Sequence, residues 1–258
     1  MKTKFNRGRK IIKYASLLLL AGGFISACSN ADREVELTSH NTLTPAEQEE
    51  GWILLFNGEN TEGWRGYNQP DFPESGWIAE EGTLRYGPDL GRAGGRAGDI
   101  IYDQKFGDFV LQLEWKISGN GNSGIFYLGQ EIEGQPIWIS APEMQILDND
   151  GHPDAERGTD GNRKAGSLYD LIPANPQNTK PVGEWNHAEI IVQQGTVVHR
   201  QNGEDVLVYE MGTTSWNELI AGSKFSEFSQ FGQYKPGYIA LQDHSDEVWF
   251  RNIKVRVL

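Results

Sequence analysis

A single cysteine, Cys28, stands in 258 residues, so no disulfide can staple the chain to itself. Long segments with a helical repeat of apolar residues are equally scarce, which argues against a helix bundle. Basic residues are outnumbered: 23 Lys and Arg face 36 Asp and Glu, for a formal charge of −13. The glycine-rich run at 91–98, GRAGGRAG, lacks the Gly-Lys-Ser/Thr that would close a phosphate-binding loop, and it reads as a surface loop. What is plentiful is glycine, at 31 residues, with 11 prolines and 11% aromatics. A chain that is 38% hydrophobic with this much turn chemistry can build one sizeable core in a turn-rich all-β domain.

Residues 1–27 read as a signal peptide. Lys2, Lys4, Arg7, Arg9, Lys10 and Lys13 form a basic start, residues 14–25 an apolar stretch too short to span a bilayer, and small residues lead to Cys28. The order Ile25-Ser26-Ala27-Cys28 resembles the lipobox of bacterial lipoproteins, in which the cysteine becomes the lipidated N-terminus after cleavage. Residues 28–44 then read as a lipidated tether and 45–258 as the folded domain. The expected address is the bacterial cell envelope, at the periplasm or outer membrane of a Gram-negative source, with membrane contact through the lipid anchor only. The signal segment holds six basic residues and no acidic one, so its removal takes the charge from −13 to −19. That much negative charge disfavours nucleic acid and anionic lipid as partners; a small neutral carbohydrate fits better, and a divalent cation is compatible.

Strand signals then recur every 8 to 12 residues. After one helical turn at 45–50, a first strand is expected at 52–56. A hairpin follows at 77–80 and 83–86, turning at Glu81-Gly82. Residues 109–117 alternate Phe109, Leu111, Leu113, Trp115 and Ile117 with mostly polar neighbours, which predicts one core face and one wet face. Further strands are read at 121–129, 142–147, 185–193, 196–201, 204–209, 237–242 and 247–258. One short helix is read at 214–221, with Ser215 as its N-cap. The sum is a jelly-roll sandwich of two antiparallel sheets with one or two short helices.

The stretch PEMQILDNDGHPD at 142–154 holds the densest chemistry. A strand there would bury Met144 and Ile146 and present Glu143 and Gln145 on its other face, before an acidic loop containing Asp148, Asp150 and His152. Strand ends that feed loops are where rigid scaffolds hold catalytic groups. Asp148, Asp150 and His152 are candidate metal ligands, and an oxygen-rich set favours calcium or magnesium over zinc. It is not an EF-hand loop, since the twelfth position from Asp148 is Thr159.

The runs LFNGENTEGW, FGDFVLQLEWKIS, NSGIFY, PEMQILDND, GSLYDL, GEWNHAEI and GYIALQDHSDEVWFRNIKV, in that order, resemble the bacterial domain family described as 3-keto-disaccharide hydrolase or 3-keto-glucoside 1,2-lyase. The resemblance covers roughly 51–258 and implies a concanavalin-like jelly roll. In place of the glycine common after the family's LQDH stands Ser245, which puts the turn beside His244 in question. The implied chemistry is removal of a proton at C2 of a 3-keto-glucoside and elimination of the C1 substituent, with hydration of the 3-keto-2-hydroxy-glucal making the sum a hydrolysis. Such a site needs a base, an electrophile for the enolate oxygen and an acid for the leaving group. Glu143 or His152 is the candidate base, and His244 the candidate acid. Arg163, Lys164 and Arg200 are candidates for holding the enolate, with a cation as the other possibility. Gln145, Gln242 and Asp148 could bind hydroxyls, while Tyr127 and Tyr169 could stack on a sugar ring. Two other classes stay open: a glycosidase pairing Glu143 with Asp148, which would need a β-bulge between them, and a carbohydrate-binding module without catalysis.

Overall fold

The structure, a computed structural model, describes residues 40–90 and 98–258. The signal segment, Cys28, most of the tether and residues 91–97 of the glycine-rich loop lie outside the described residues. Two antiparallel sheets pack as a jelly-roll sandwich. The larger runs Glu204–Glu210 (β11), Thr196–Gln201 (β10), Asn186–Gln193 (β9), Phe109–Ile117 (β6), Val248–Val257 (β13), Thr83–Tyr86 (β4) and Trp77–Glu80 (β3), with Trp52–Leu54 (β1) also paired to β13. The smaller runs Trp64–Gly66 (β2), Ile100–Phe106 (β5), Gly237–Leu241 (β12), Asn122–Gly129 (β7) and Glu143–Leu147 (β8). Two short helices, Pro45–Glu49 (α1) and Thr214–Ala221 (α2), lie outside the sheets.

The strand alternation read from the sequence carries through to packing. In β6, Phe109, Leu111, Leu113, Trp115 and Ile117 are all buried, whereas Gln112, Glu114 and Lys116 are half-buried on the outer face. Phe109 and Leu111 are fully buried, and each such side chain removed from water stabilises the sandwich by roughly 1.5–3 kcal/mol. The β3–β4 hairpin turns at the expected dipeptide, with Glu81 at φ 48° and Gly82 at φ 73°.

Three local readings are corrected. The N-cap of α2 is Thr213, whose hydroxyl accepts from the Trp216 N–H at 3.1 Å; Ser215 lies inside the helix. Strands β2 and β5 carry no signal at their positions: β2 has three residues, and Ile100 and Ile101 of β5 are adjacent and both fully buried, one on each sheet face. At that end the strand is covered on both sides and loses its alternation, while Asp103, Gln104 and Lys105 are exposed on both faces further along. At the turn after β12, Ser245 takes φ 72°, the left-handed conformation a glycine would favour, at a cost on the order of 1 kcal/mol. Asp243 holds it there, accepting from the Ser245 N–H at 2.8 Å and from the Gly98 N–H at 2.9 Å.

Candidate active site

Strand β8 has one side chain set in the sandwich core, Met144 and Ile146, and the other, Glu143 and Gln145, on the opposite face of the smaller sheet. Its free edge is covered by the irregular segment 163–172. Gln145 N–H donates to Ser167 O at 3.1 Å, Gly166 N–H to Gln145 O at 2.8 Å, and Tyr169 N–H to Glu143 O at 3.0 Å. These bonds bring Tyr169 beside Glu143. The result is a cleft of about 210 Å³ whose polar lining is Asn122, Glu143, Gln145, Gln242, Lys224 and His244. Its apolar lining is Trp138, Ala141, Phe225 and Phe231, together with Tyr169.

Glu143 is 7% exposed, and burial pushes its carboxyl up to about 8. The Lys224 ammonium and hydrogen bonding from Gln242 work against that rise, while Asp99 and Asp154 add to it. The side-chain amide oxygens of Gln145 and Gln242 are buried without partners, leaving hydrogen-bonding capacity beside the carboxyl. Burial lowers the pKa of Lys224, which lies 3.5 Å from Asp170 through its ammonium and 4.1 Å from the Tyr169 ring centroid. Tyr169 is fixed by its hydroxyl, which donates to Asp154 at 2.9 Å; burial and that carboxylate hold the phenol in its neutral form.

His244 lines the cleft, and His152 stands beside it. The rings of His152 and His244 stand 6.2 Å apart at 81°, and His244 Nδ1 is 3.9 Å from Asp246 Oδ2. His152, His244 and Asp246 offer ligand atoms all within 4.8 Å of one another, a nitrogen-rich set that suits a transition metal better than calcium or magnesium. His152 Nδ1, however, accepts from the Asp154 N–H at 3.1 Å as the cap of a short 3₁₀ turn. In the neutral ring the proton is then on Nε2, which is left as a donor.

Other sequence candidates fall elsewhere. Asp148 does not join His152: its carboxylate accepts from the backbone N–H groups of Asn120 at 2.7 Å, Gly151 at 3.0 Å and Asp150 at 3.2 Å, a loop-shaping role. Neither Asp148 nor Asp150 belongs to the histidine cluster. Tyr127 points into the sandwich core, fully buried and bonded to His199 at 2.7 Å and Tyr209 at 2.6 Å. It shares its strand face with Ile125, and that face belongs to the core. Arg200 lies on β10 in ion pairs with Glu189 and Asp205, away from the cleft. Arg163 is spent behind Tyr169, bridging Asp154 at 2.9 Å and Asp170 at 2.5 Å, and Lys164 lines shallow grooves outside the cleft. The structure brings together Glu143, Gln145, Tyr169, Gln242 and His244, with His152 beside them. It adds Lys224, Asn122 and Trp138, which the sequence reading missed. The cluster of aromatics around Lys224, at 224–231, was the signal that could have found it.

A jelly roll with a buried carboxyl, an ammonium and a histidine around one sugar-sized cleft defines a carbohydrate-active enzyme of the lyase or hydrolase kind. The model of the 3-keto-alpha-glucoside-1,2-lyase-like domain matches residues 51–256, and the chain belongs to that family. A 3-keto-disaccharide hydrolase of Bacteroides thetaiotaomicron is 43% identical, over 96% of this chain and 99% of that one. A crystal structure from Parabacteroides distasonis ATCC 8503, provisionally described as a glycosyl hydrolase, is 30% identical with a TM-score of 0.77, covering 85% of this chain and 99% of its own. A second structure from that organism, 24% identical and covering 80% of this chain and 99% of its own, shares the fold at a TM-score of 0.60.

Proposed function

We propose that the protein cleaves 3-keto-disaccharides and related 3-keto-glucosides by proton abstraction at C2 followed by elimination of the C1 substituent. Glu143 carries this reading. A ketone at C3 acidifies the C2 hydrogen because the carbanion is delocalised into an enolate. A carboxylate of ordinary pKa is a weak base for such a proton, and one raised to about 8 by burial is stronger by several powers of ten. Glu143 takes the C2 proton and the electrons move onto the C3 oxygen, whose negative charge the Lys224 ammonium in the same cleft stabilises. When the carbonyl re-forms, C1=C2 is made, the C1–O bond breaks and His244 returns a proton to the departing oxygen. Addition of water across the resulting enone completes a net hydrolysis. The name of the Bacteroides thetaiotaomicron relative supports the substrate class.

The paired-carboxylate glycosidase is the weaker reading, because Glu143 is the one carboxylate among the described residues that line the cleft. From the lipobox-like sequence at Cys28, the proposed place of action is the cell envelope. Incubation with a 3-keto-glucoside beside its unoxidised parent tests the chemistry: release of aglycone from the keto form alone is expected, and equal cleavage of both would overturn the mechanism.

A further inference from the structure

Trp138 lines the cleft that holds Glu143. It lies at the centre of a 3₁₀ turn, Ile137–Ile139, and is 38% exposed although Ile137 on one side is fully buried and Ile139 on the other is 9% exposed. The turn is pinned: Gly232 N–H donates to Ser140 O at 3.0 Å, and Phe228 packs edge-on to the indole with centroids 5.2 Å apart. The exposure therefore belongs to a fixed side chain. Several large apolar side chains stand exposed among the described residues, and Trp138 alone of them lines the cleft. An exposed aromatic on a rigid turn at the rim of a polar site is a ready ligand platform.

The dimensions say which part of a substrate would reach it. At about 210 Å³ the cleft is smaller than the roughly 300–1,000 Å³ common for drug-sized ligands, so one sugar ring fills it. Glu143, which must touch C2, is nearly buried, while Trp138 is open to water. With C2 against the carboxyl at the base, the neighbouring C1 substituent projects toward the mouth. We propose that Trp138 forms a leaving-group subsite that stacks on the apolar C–H face of a second sugar ring, making the protein selective for 3-keto-disaccharides over 3-keto-glucosides with a small aglycone. This deepens, and rests on, the reaction proposed above.

The test compares kcat/KM for a 3-keto-glucosyl disaccharide with that for methyl 3-keto-glucoside, in the wild-type protein and in Trp138→Ala. The disaccharide-to-methyl ratio is expected to fall about tenfold, the loss of roughly one aromatic stacking contact. Trp138→Phe, which keeps an aromatic face and the packing against Phe228, should retain most of the ratio. An unchanged ratio in Trp138→Ala overturns the subsite. Calorimetric titration of both ligands into Glu143→Gln, with and without Trp138→Ala, reads the subsite without turnover. About tenfold weaker disaccharide binding in the double variant sustains it, and equal binding overturns it; turnover persisting in Glu143→Gln would instead overturn the base, leaving the kcat/KM ratio to decide the subsite.

Discussion

The Glu143 carboxyl lies directly over Gly124 of the neighbouring strand: a Cβ built on that glycine would come within 2.1 Å of Glu143 Oε1 and 2.7 Å of its carboxyl carbon. Gly124 pairs with Gln145 across β7 and β8, so the missing side chain leaves the space into which the diagonal neighbour folds. Gly124→Ala should displace the carboxyl without disturbing the sheet ladder. The expected loss in kcat/KM is on the order of a hundredfold, with a Tm within a few degrees of the parent. Activity close to that of the parent would mean that the carboxyl's placement is not needed for turnover.

Raising a buried carboxyl to about 8 has consequences for rate and for stability. The base must be ionised, so kcat/KM should climb with pH and level off above about 8. Stability runs the other way. The folded pKa lies above the unfolded value near 4.5, so the folded state is fully favoured below that value and loses stability as pH rises through 8. The loss is on the order of a few kcal/mol. Glu143→Gln should therefore abolish turnover and raise Tm relative to the parent, with a gap that widens from about pH 4.5 to about pH 8 and is level above that. A gap that stays constant with pH would remove Glu143 as the source of the limb.

Much of this corner was legible because strand parity is a local property. Met144 and Ile146 claim one face of β8, and Glu143 and Gln145 are left with the other, whatever packs above them. Parity also decides Tyr127, which shares a face with Ile125; its ring made it look like a stacking surface for a sugar, yet the sandwich interior claims that face. The rest depends on groups far apart in the chain. Lys224 and Trp138 reach the cleft on irregular segments, whose sequences carry no period to show where they point. Arg163 had the right charge for an enolate and was removed from contention by Asp154 and Asp170, an assignment that only the folded loop makes.

A line of hydrogen bonds crosses the core behind the site, and its direction is fixed. Gly166 O can only accept, so His199 Nδ1 carries the proton and donates to it at 3.0 Å; Nε2 then accepts from the Tyr127 hydroxyl, which accepts from Tyr209. Burial takes His199 down to about 4, so the ring stays neutral in the folded protein. The unfolded chain takes up the proton near 6.5, and stability is lost as pH falls from there toward 4, on the order of 3 kcal/mol from this one group. Urea unfolding at about pH 7 and pH 4.5 should show a steeper acid loss for the parent than for His199→Gln. Equal slopes would show that the histidine is already charged in the fold.

Lys224 is the cation on the cleft wall, and it acts on Glu143 before any substrate arrives, lowering a pKa that burial has raised. Lys224→Met keeps the length of the side chain and removes both effects of the charge. Without the ammonium the enolate oxygen loses its counter-charge, and turnover is expected to slow by roughly two to three orders of magnitude. The same substitution should let Glu143 rise further, moving the limb of the pH–rate profile to higher pH. A merely structural lysine would change the amplitude of the profile and leave its position alone. An alkaline displacement of the limb shows that the ammonium acts on Glu143, and a loss of rate that remains at pH values above the displaced limb assigns it to the enolate as well; loss of rate at an unmoved limb assigns it to holding Tyr169 and Asp170 in place.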